Sequence, residues 1–164
     1  LVDHLSQTPV QIKDVHIDAK AALKLNVLKQ ISKKNGITDW ELNADSATLI
    51  KDQNRAELEM VTVIFYTKES KKIHLKSKKG VLNTKTHDIE FSKDVTVTYE
   101  DAVLKTQQLN YDKKDHIIRS ESHVTLEKRN SMIEADTMIT WLHDNLTELK
   151  GNVKGKFSED FTLQ

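Results

Sequence analysis

The sequence contains no cysteine, so neither a disulfide framework nor a cysteine-ligated zinc site is open to it. One proline (Pro9) and four glycines in 164 residues are too few for a collagen-like or low-complexity chain. Aromatic residues are 5% of the total, little material for stacking single-stranded nucleic acid. Neither charge sign is in excess: 25 basic side chains balance 25 acidic ones. That balance argues against holding nucleic acid by neutralising phosphates. No run reaches the roughly 18 apolar residues that a spanning helix needs. The HExxH pattern, the G-x-S-x-G elbow, the P-loop and the dinucleotide fingerprint are also missing. The expectation is a non-enzymatic chain with no cofactor and no metal.

Valine, isoleucine and threonine supply 39 of the 164 residues, a β-branched content that favours sheet. The length suits one domain with a real core. Residues 1–18, which start at Leu1 rather than Met, read as a poorly ordered linker, and 19–164 as a single domain. From about residue 20 apolar residues alternate with polar ones, as in Trp40–Ala44, Val61–Val63, Val95–Tyr99 and Val124–Leu126. Turn signals separate these runs: Asn35-Gly36, Lys78–Gly80, Thr86–Asp88, Glu100-Asp101, Lys113–Asp115 and His143–Asn145. The segment 21–31 suits a helix by the spacing of Leu23, Val27 and Ile31, and a strand by the alternation of Leu23, Leu25 and Val27. The Asn-Gly turn that follows it favours the strand.

An internal repeat is the strongest signal. Val95, Val124 and Val153 are 29 residues apart, as are Leu75, Leu104 and Ile133, then Ser77, Thr106 and Ala135, then Gly80, Leu109 and Met138. A looser copy carries Leu42, Ala44 and Ala47, with its extra residues expected at 52–55. Each copy reads as two short antiparallel strands, so the fold class is all-β: a twisted, elongated antiparallel jelly roll of repeated two-strand units. Such a sheet ends in unpaired edges.

The inner face should carry Trp40, Leu42, Ala44, Val61, Val63, Leu75, Val95, Val97, Leu104, Val124, Leu126, Ile133, Val153 and Phe157. Walls of this kind close into a dry core or leave a slot for alkyl chains, each buried CH₂ being worth about 0.8 kcal/mol. His87 and His116 fall 29 residues apart on one turn of the repeat, and they read as polar turn residues before they read as a metal pair. The cluster of Lys71, Lys72 and Lys76–Lys79 reads as a solvated strand and turn.

Trp40-Glu41-Leu42-Asn43-Ala44-Asp45-Ser46-Ala47, followed by Val61-Thr62-Val63-Ile64-Phe65-Tyr66, resembles the opening of the LptC family domain. Leu75–Gly80, Val95–Val97, Leu104–Asp112 and Leu149–Phe157 resemble its later copies, so the likeness runs over about residues 20–157. Where the family often has glycine after an acidic residue, Asp101 is followed here by Ala102. The resemblance implies a lipopolysaccharide-binding component of the export machinery, with an OstA/LptA-like jelly roll in the periplasm. It implies an N-terminal helix, absent from this sequence, as an anchor to the inner membrane. It implies three partners: lipopolysaccharide, the inner-membrane ABC transporter, and the periplasmic bridge protein LptA. By resemblance the transporter-side edge falls at Leu23, Leu25 and Val27. The bridge-side edge falls at Gly151, Val153, Gly155 and Phe157, with head-to-tail self-association a further consequence of open edges. The soluble bridge protein, or an adaptor of the same fold docking by strand addition, is the alternative.

Overall fold

The computed structural model describes residues 10–18, 22–50 and 52–157. They form thirteen strands: β1 (Val10–Asp18), β2 (Ala22–Lys34), β3 (Ile37–Ile50), β4 (Arg55–Tyr66), β5 (Lys72–Asn83), β6 (Ile89–Tyr99), β7 (Ala102–Asp112), β8 (Ile117–Ser120), β9 (Val124–Lys128), β10 (Ser131–Ala135), β11 (Thr137–Trp141), β12 (Leu146–Lys150) and β13 (Lys154–Phe157). Each of the first seven pairs antiparallel with the next, the arrangement short turns enforce. The fold is the expected all-β, elongated antiparallel jelly roll, and the ambiguous segment after residue 21 is strand β2.

A sheet of alternating residues would bury one flat face. These strands instead change phase once each. In β4 the inward residues are Ala56 and Leu58, then Val61, Val63 and Phe65. The step from Leu58 to Val61 is three residues; Met60 between them adopts a positive φ of 51°, and the register to β3 and β5 continues across it. The same three-residue step separates Leu25 from Leu28, Ala44 from Ala47, Ser77 from Gly80 and Thr106 from Leu109. β6 takes four, from Phe91 to Val95, with Lys93 and Asp94 both at positive φ. The irregularities lie side by side and form a bend across the sheet. Each long strand therefore contributes one half to a first wall and the other half to a second.

β7 makes the division explicit. Its first half, Ala102–Lys105, pairs with β9, which leads on to β10 and β13. Its last residues, Asn110–Asp112, pair with β8, which leads to β11 and β12. The walls face one another across rings: Phe65 of the first lies 4.8 Å from Tyr111 of the second. Outside the bend runs a polar ladder. Ser46 and Lys79 both bond Glu59, and Asp94 takes Lys78 and Gln107. The lysines of the basic cluster thus belong partly to this ladder.

Two sequence expectations change. Residues 10–18 are not linker but strand β1, paired with β2 from Val10↔Gln30 to Asp18↔Ala22; residues 1–9 lie outside the described residues. The extra residues of the looser repeat are not at 52–55. Val61 and Leu75 stand 14 apart, where Val95 and Leu104 stand 9 apart, so the insertion is the longer connection after Tyr66. Among the described residues no helix is long and apolar enough to cross a membrane.

Candidate functional site

Register carries the inner residues into continuous rows. On the first wall Leu42, Val63, Leu75, Val97, Leu104, Leu126 and Ile133 are successive cross-strand partners. Trp40 pairs with Phe65, and Ala44 with Val61, in the flanking rows. Ten of the expected inner residues are buried: Trp40, Leu42, Ala44, Val61, Val63, Leu75, Val95, Val97, Leu104 and Val124. Leu126 and Ile133 are half-buried, because they lie where the first wall runs out. Val153 is a correction: it is 54% exposed and sits in the link between β12 and β13, outside any strand. Phe157, also expected inside, is 53% exposed on β13. The repeat predicts Val153 inside; among the described residues β12 and β13 are both edge strands, so the link between them and Phe157 lie open.

The second wall escaped the sequence list of inner residues. Leu25, Ala47, Leu58, Gly80, Phe91 and Leu109 form one row, and Leu23, Leu49, Ala56, Leu82, Ile89, Tyr111 and Ile118 the next. Its signal was present as the repeated trio Gly80, Leu109 and Met138, which lies three residues beyond Ser77, Thr106 and Ala135.

Most of the space between the walls is filled. Toward the C-terminal strands it opens into a cavity of about 250 Å³. Ile73, Val97, Leu104 and Leu126 line it from the first wall, Met138, Thr140 and Thr147 from the second, with Lys128 on its rim.

Opposite the bend the walls meet at a polar seam. Asp39 and Lys113 form an ion pair there, each side chain only 9% exposed. The backbone N–H of Lys113 donates to Asp88 at 2.9 Å, which fixes the lysine's turn. His116 bridges the walls: Nε2 lies 3.2 Å from the carbonyl oxygen of Tyr66, and Nδ1 lies 3.0 Å from the Tyr111 hydroxyl. Because a carbonyl only accepts, Nε2 carries the proton, and Nδ1 of the neutral ring accepts from Tyr111. Burial, reinforced by nearby His143, pushes His116 down to about 4. The inserted connection after Tyr66 reaches over the seam, where the Lys68 amide donates to the His143 carbonyl and Lys68 Nζ pairs with Asp144 at 2.8 Å. The Tyr66 hydroxyl donates to the Glu41 carboxylate, which with burial pushes the phenol up to about 12.

Donor atoms of Asp39, His116 and His143 lie within 4.8 Å of one another, a spacing a metal could use. Both nitrogens of His116 and the Asp39 carboxylate are already engaged, and the Lys113 cation stands where a metal charge would. His87, the partner the repeat suggested for His116, packs edge-on to Trp40 instead. The 29-residue spacing of His87, His116 and Asn145 has another cause: all three adopt positive φ, at 69°, 54° and 49°. Histidine and asparagine are enriched in that conformation, which tight turns require.

The strand edges differ from expectation at one end. Leu23, Leu25 and Val27 lie on β2, which is hydrogen-bonded on both sides, so the N-terminal edge is β1. Among the described residues the C-terminal end has two edges, β12 and β13. Gly155 and Phe157 lie on β13, while Gly151 and Val153 belong to the link.

A family model described as lipopolysaccharide-assembly, LptC-related matches residues 5–158. A curated relative, the uncharacterized protein RP506 of Rickettsia prowazekii (strain Madrid E), is 24% identical over 135 residues, 80% of this chain and 67% of that protein. A solved structure, LptH, the LptA-homologous periplasmic component of the lipopolysaccharide transport device of Pseudomonas aeruginosa, is 9% identical with a TM-score of 0.35, over 92% of this chain and 94% of that one.

Proposed function

The chain belongs to the LptC-related family of lipopolysaccharide-assembly proteins, and from that membership we propose that it binds lipopolysaccharide between its two walls and hands it on. The family works in lipopolysaccharide transport in the periplasm and is not enzymatic. In the proposed role the chain receives lipopolysaccharide from the inner-membrane ABC transporter and passes it to the LptA bridge protein, held to the membrane by a preceding helix. The observation that carries this reading is the row from Leu42 to Ile133, aliphatic at seven successive strands and ending beside a cavity open to solvent. Acyl chains need such a surface, and no side chain along that row offers chemistry beyond burial. Photo-crosslinkers at Val63, Val97 and Val124 should capture lipopolysaccharide, and those at Thr62, Thr96 and Thr125 should not. Equal capture by both sets, or by neither, removes the reading.

Strand addition is the proposed docking mode: β1 toward the transporter, β12 or β13 toward the bridge. Consecutive residues of an edge strand point their N–H groups alternately inward and outward. His16→Pro and Ile17→Pro on β1, and Gly155→Pro and Lys156→Pro on β13, therefore form matched pairs. In each, one proline disrupts the internal ladder and the other removes only a free edge donor. The edge-donor variant should keep its melting temperature and lose the partner. Retained binding at both ends means that these edges are not used. A second reading, a structural adaptor that binds protein edges alone, draws on the filled space around Phe65 and Tyr111. Partner capture without any lipopolysaccharide crosslink would favour it.

A further inference from the structure

Among the described residues the space between the walls is closed at its aromatic centre: Trp40, Phe65 and Tyr111 are within 1% of full burial, and the cavity beside Leu126 lies toward the C-terminal strands. If lipid binds between the walls, as proposed above, they must part. Along the bend they cannot, because six consecutive strands, β2 to β7, run through it as continuous chain from one wall into the other. Along the seam the polar contacts between walls include the Asp39–Lys113 pair, His116 on the Tyr66 carbonyl, the Lys68 amide on the His143 carbonyl, and the exposed Lys68–Asp144 pair.

The chemistry of that closure matters. Two apolar side chains at positions 39 and 113 would hold the walls together and resist opening, since parting them exposes oil to water. A buried ion pair does the opposite: its attraction is largely cancelled by the hydration it forgoes, and that hydration returns as the seam opens. The pair also adjoins the aromatic part of the interior, since Asp39 precedes Trp40, which pairs with Phe65, and Lys113 follows Tyr111, whose ring lies 4.8 Å from that of Phe65.

We propose that an alkyl chain enters sideways, through the seam, and that Asp39 and Lys113 form the latch that admits it. This rests on the lipid-binding reading and specifies its entry route: the bend is the hinge, and the connection after Tyr66 is the flap that carries Lys68 across to Asp144.

The absence of native cysteine makes the test clean. Lys68→Cys and Asp144→Cys are joined by a bis-maleimide whose spacer carries a reducible disulfide, and uptake of a fluorescent twelve-carbon fatty acid is followed by stopped flow. The tethered protein should take up the probe at least tenfold more slowly than the same protein after the spacer is cut. As a control, Thr147→Trp partly fills the C-terminal cavity from the second wall and should leave the rate within twofold. Asp39→Leu with Lys113→Met, which greases the latch, should also slow uptake by tenfold or more while keeping the fold. Equal rates before and after cutting, or slowing by the cavity variant alone, overturn sideways entry and leave lipid binding standing. Failure of every form to bind the probe, the cut one included, overturns lipid binding and sideways entry together.

Discussion

Asp39 and Lys113, 74 residues apart in the chain, meet as a buried ion pair that joins the start of β3 to the turn after β7. Each side chain is only 9% exposed, so the two are energetically coupled. Removing one partner strands the other's charge, which costs about 3–5 kcal/mol, whereas replacing both with apolar residues is near neutral. Lys113→Met alone should lower the melting temperature by roughly 10 °C, taking about 2–4 °C per kcal/mol at this size. Adding Asp39→Leu should restore most of the loss. Calorimetry of the single and double variants checks this, and a harmless single variant would mean that the pair is solvated.

His116 makes stability depend on acid. Its ordinary value is 6.5, and burial holds it near 4 in the folded protein. As pH falls through 6.5 the unfolded chain takes up a proton that the folded chain refuses, so the folded state loses ground until about pH 4 and no further. The loss should approach about 3 kcal/mol, from a shift of that size at 1.36 kcal/mol per unit. His116→Gln keeps an N–H for the Tyr66 carbonyl and cannot titrate. Melting temperatures of the two proteins from pH 7 to 4 should therefore diverge in slope, the wild type falling faster. Parallel curves would show that His116 is protonated freely in the fold.

In β4 the bend falls on one residue. Met60 holds a positive φ of 51° and is 55% exposed, so it bears the strain of a left-handed conformation and contributes little burial. Met60→Gly should relieve about 1 kcal/mol and raise the melting temperature by a few degrees. Deleting Met60 should do the reverse. The alternation of β4 would then run unbroken, and either Ala56 and Leu58 or Val61, Val63 and Phe65 would face water. Circular dichroism should find the deletion unfolded and the glycine variant intact. A folded deletion would mean that neighbouring strands tolerate a straight β4.

The period of two was legible because each half-strand keeps it for four or five residues. The phase step was visible only as repeated trios whose meaning needs a bend. That is why the inner list named one wall: Leu42, Val63 and Leu75 share a phase that Leu58, Leu82 and Leu109 do not. β1 was missed for the same reason. Val10, Ile12, Val15 and Ile17 follow the two-three-two spacing of the other strands, but without the step in mind they do not alternate. The seam was beyond sequence reasoning, since a lone Asp and a lone Lys 74 residues apart carry no pattern.

Gly151 controls whether β13 exists as an edge. Its φ of +83° is one that side chains rarely adopt, and a Cβ there would lie 2.8 Å from the Asp136 carboxylate. The Asp136 amide in turn donates to the Gly151 carbonyl at 2.8 Å, and Asn152 donates to the Asp136 side chain at 2.8 Å. This knot joins the β10–β11 corner to the β12–β13 link. Among the described strands β13 pairs with β10 alone, over four residues. Gly151→Ala should therefore cost about 1–2 kcal/mol locally. Hydrogen exchange should speed up in β13 and the end of β12, while β3 to β6, held on both sides, stay protected. If protection of β13 survives, the edge is set by β10 alone, and a partner that adds a strand there would not feel the glycine.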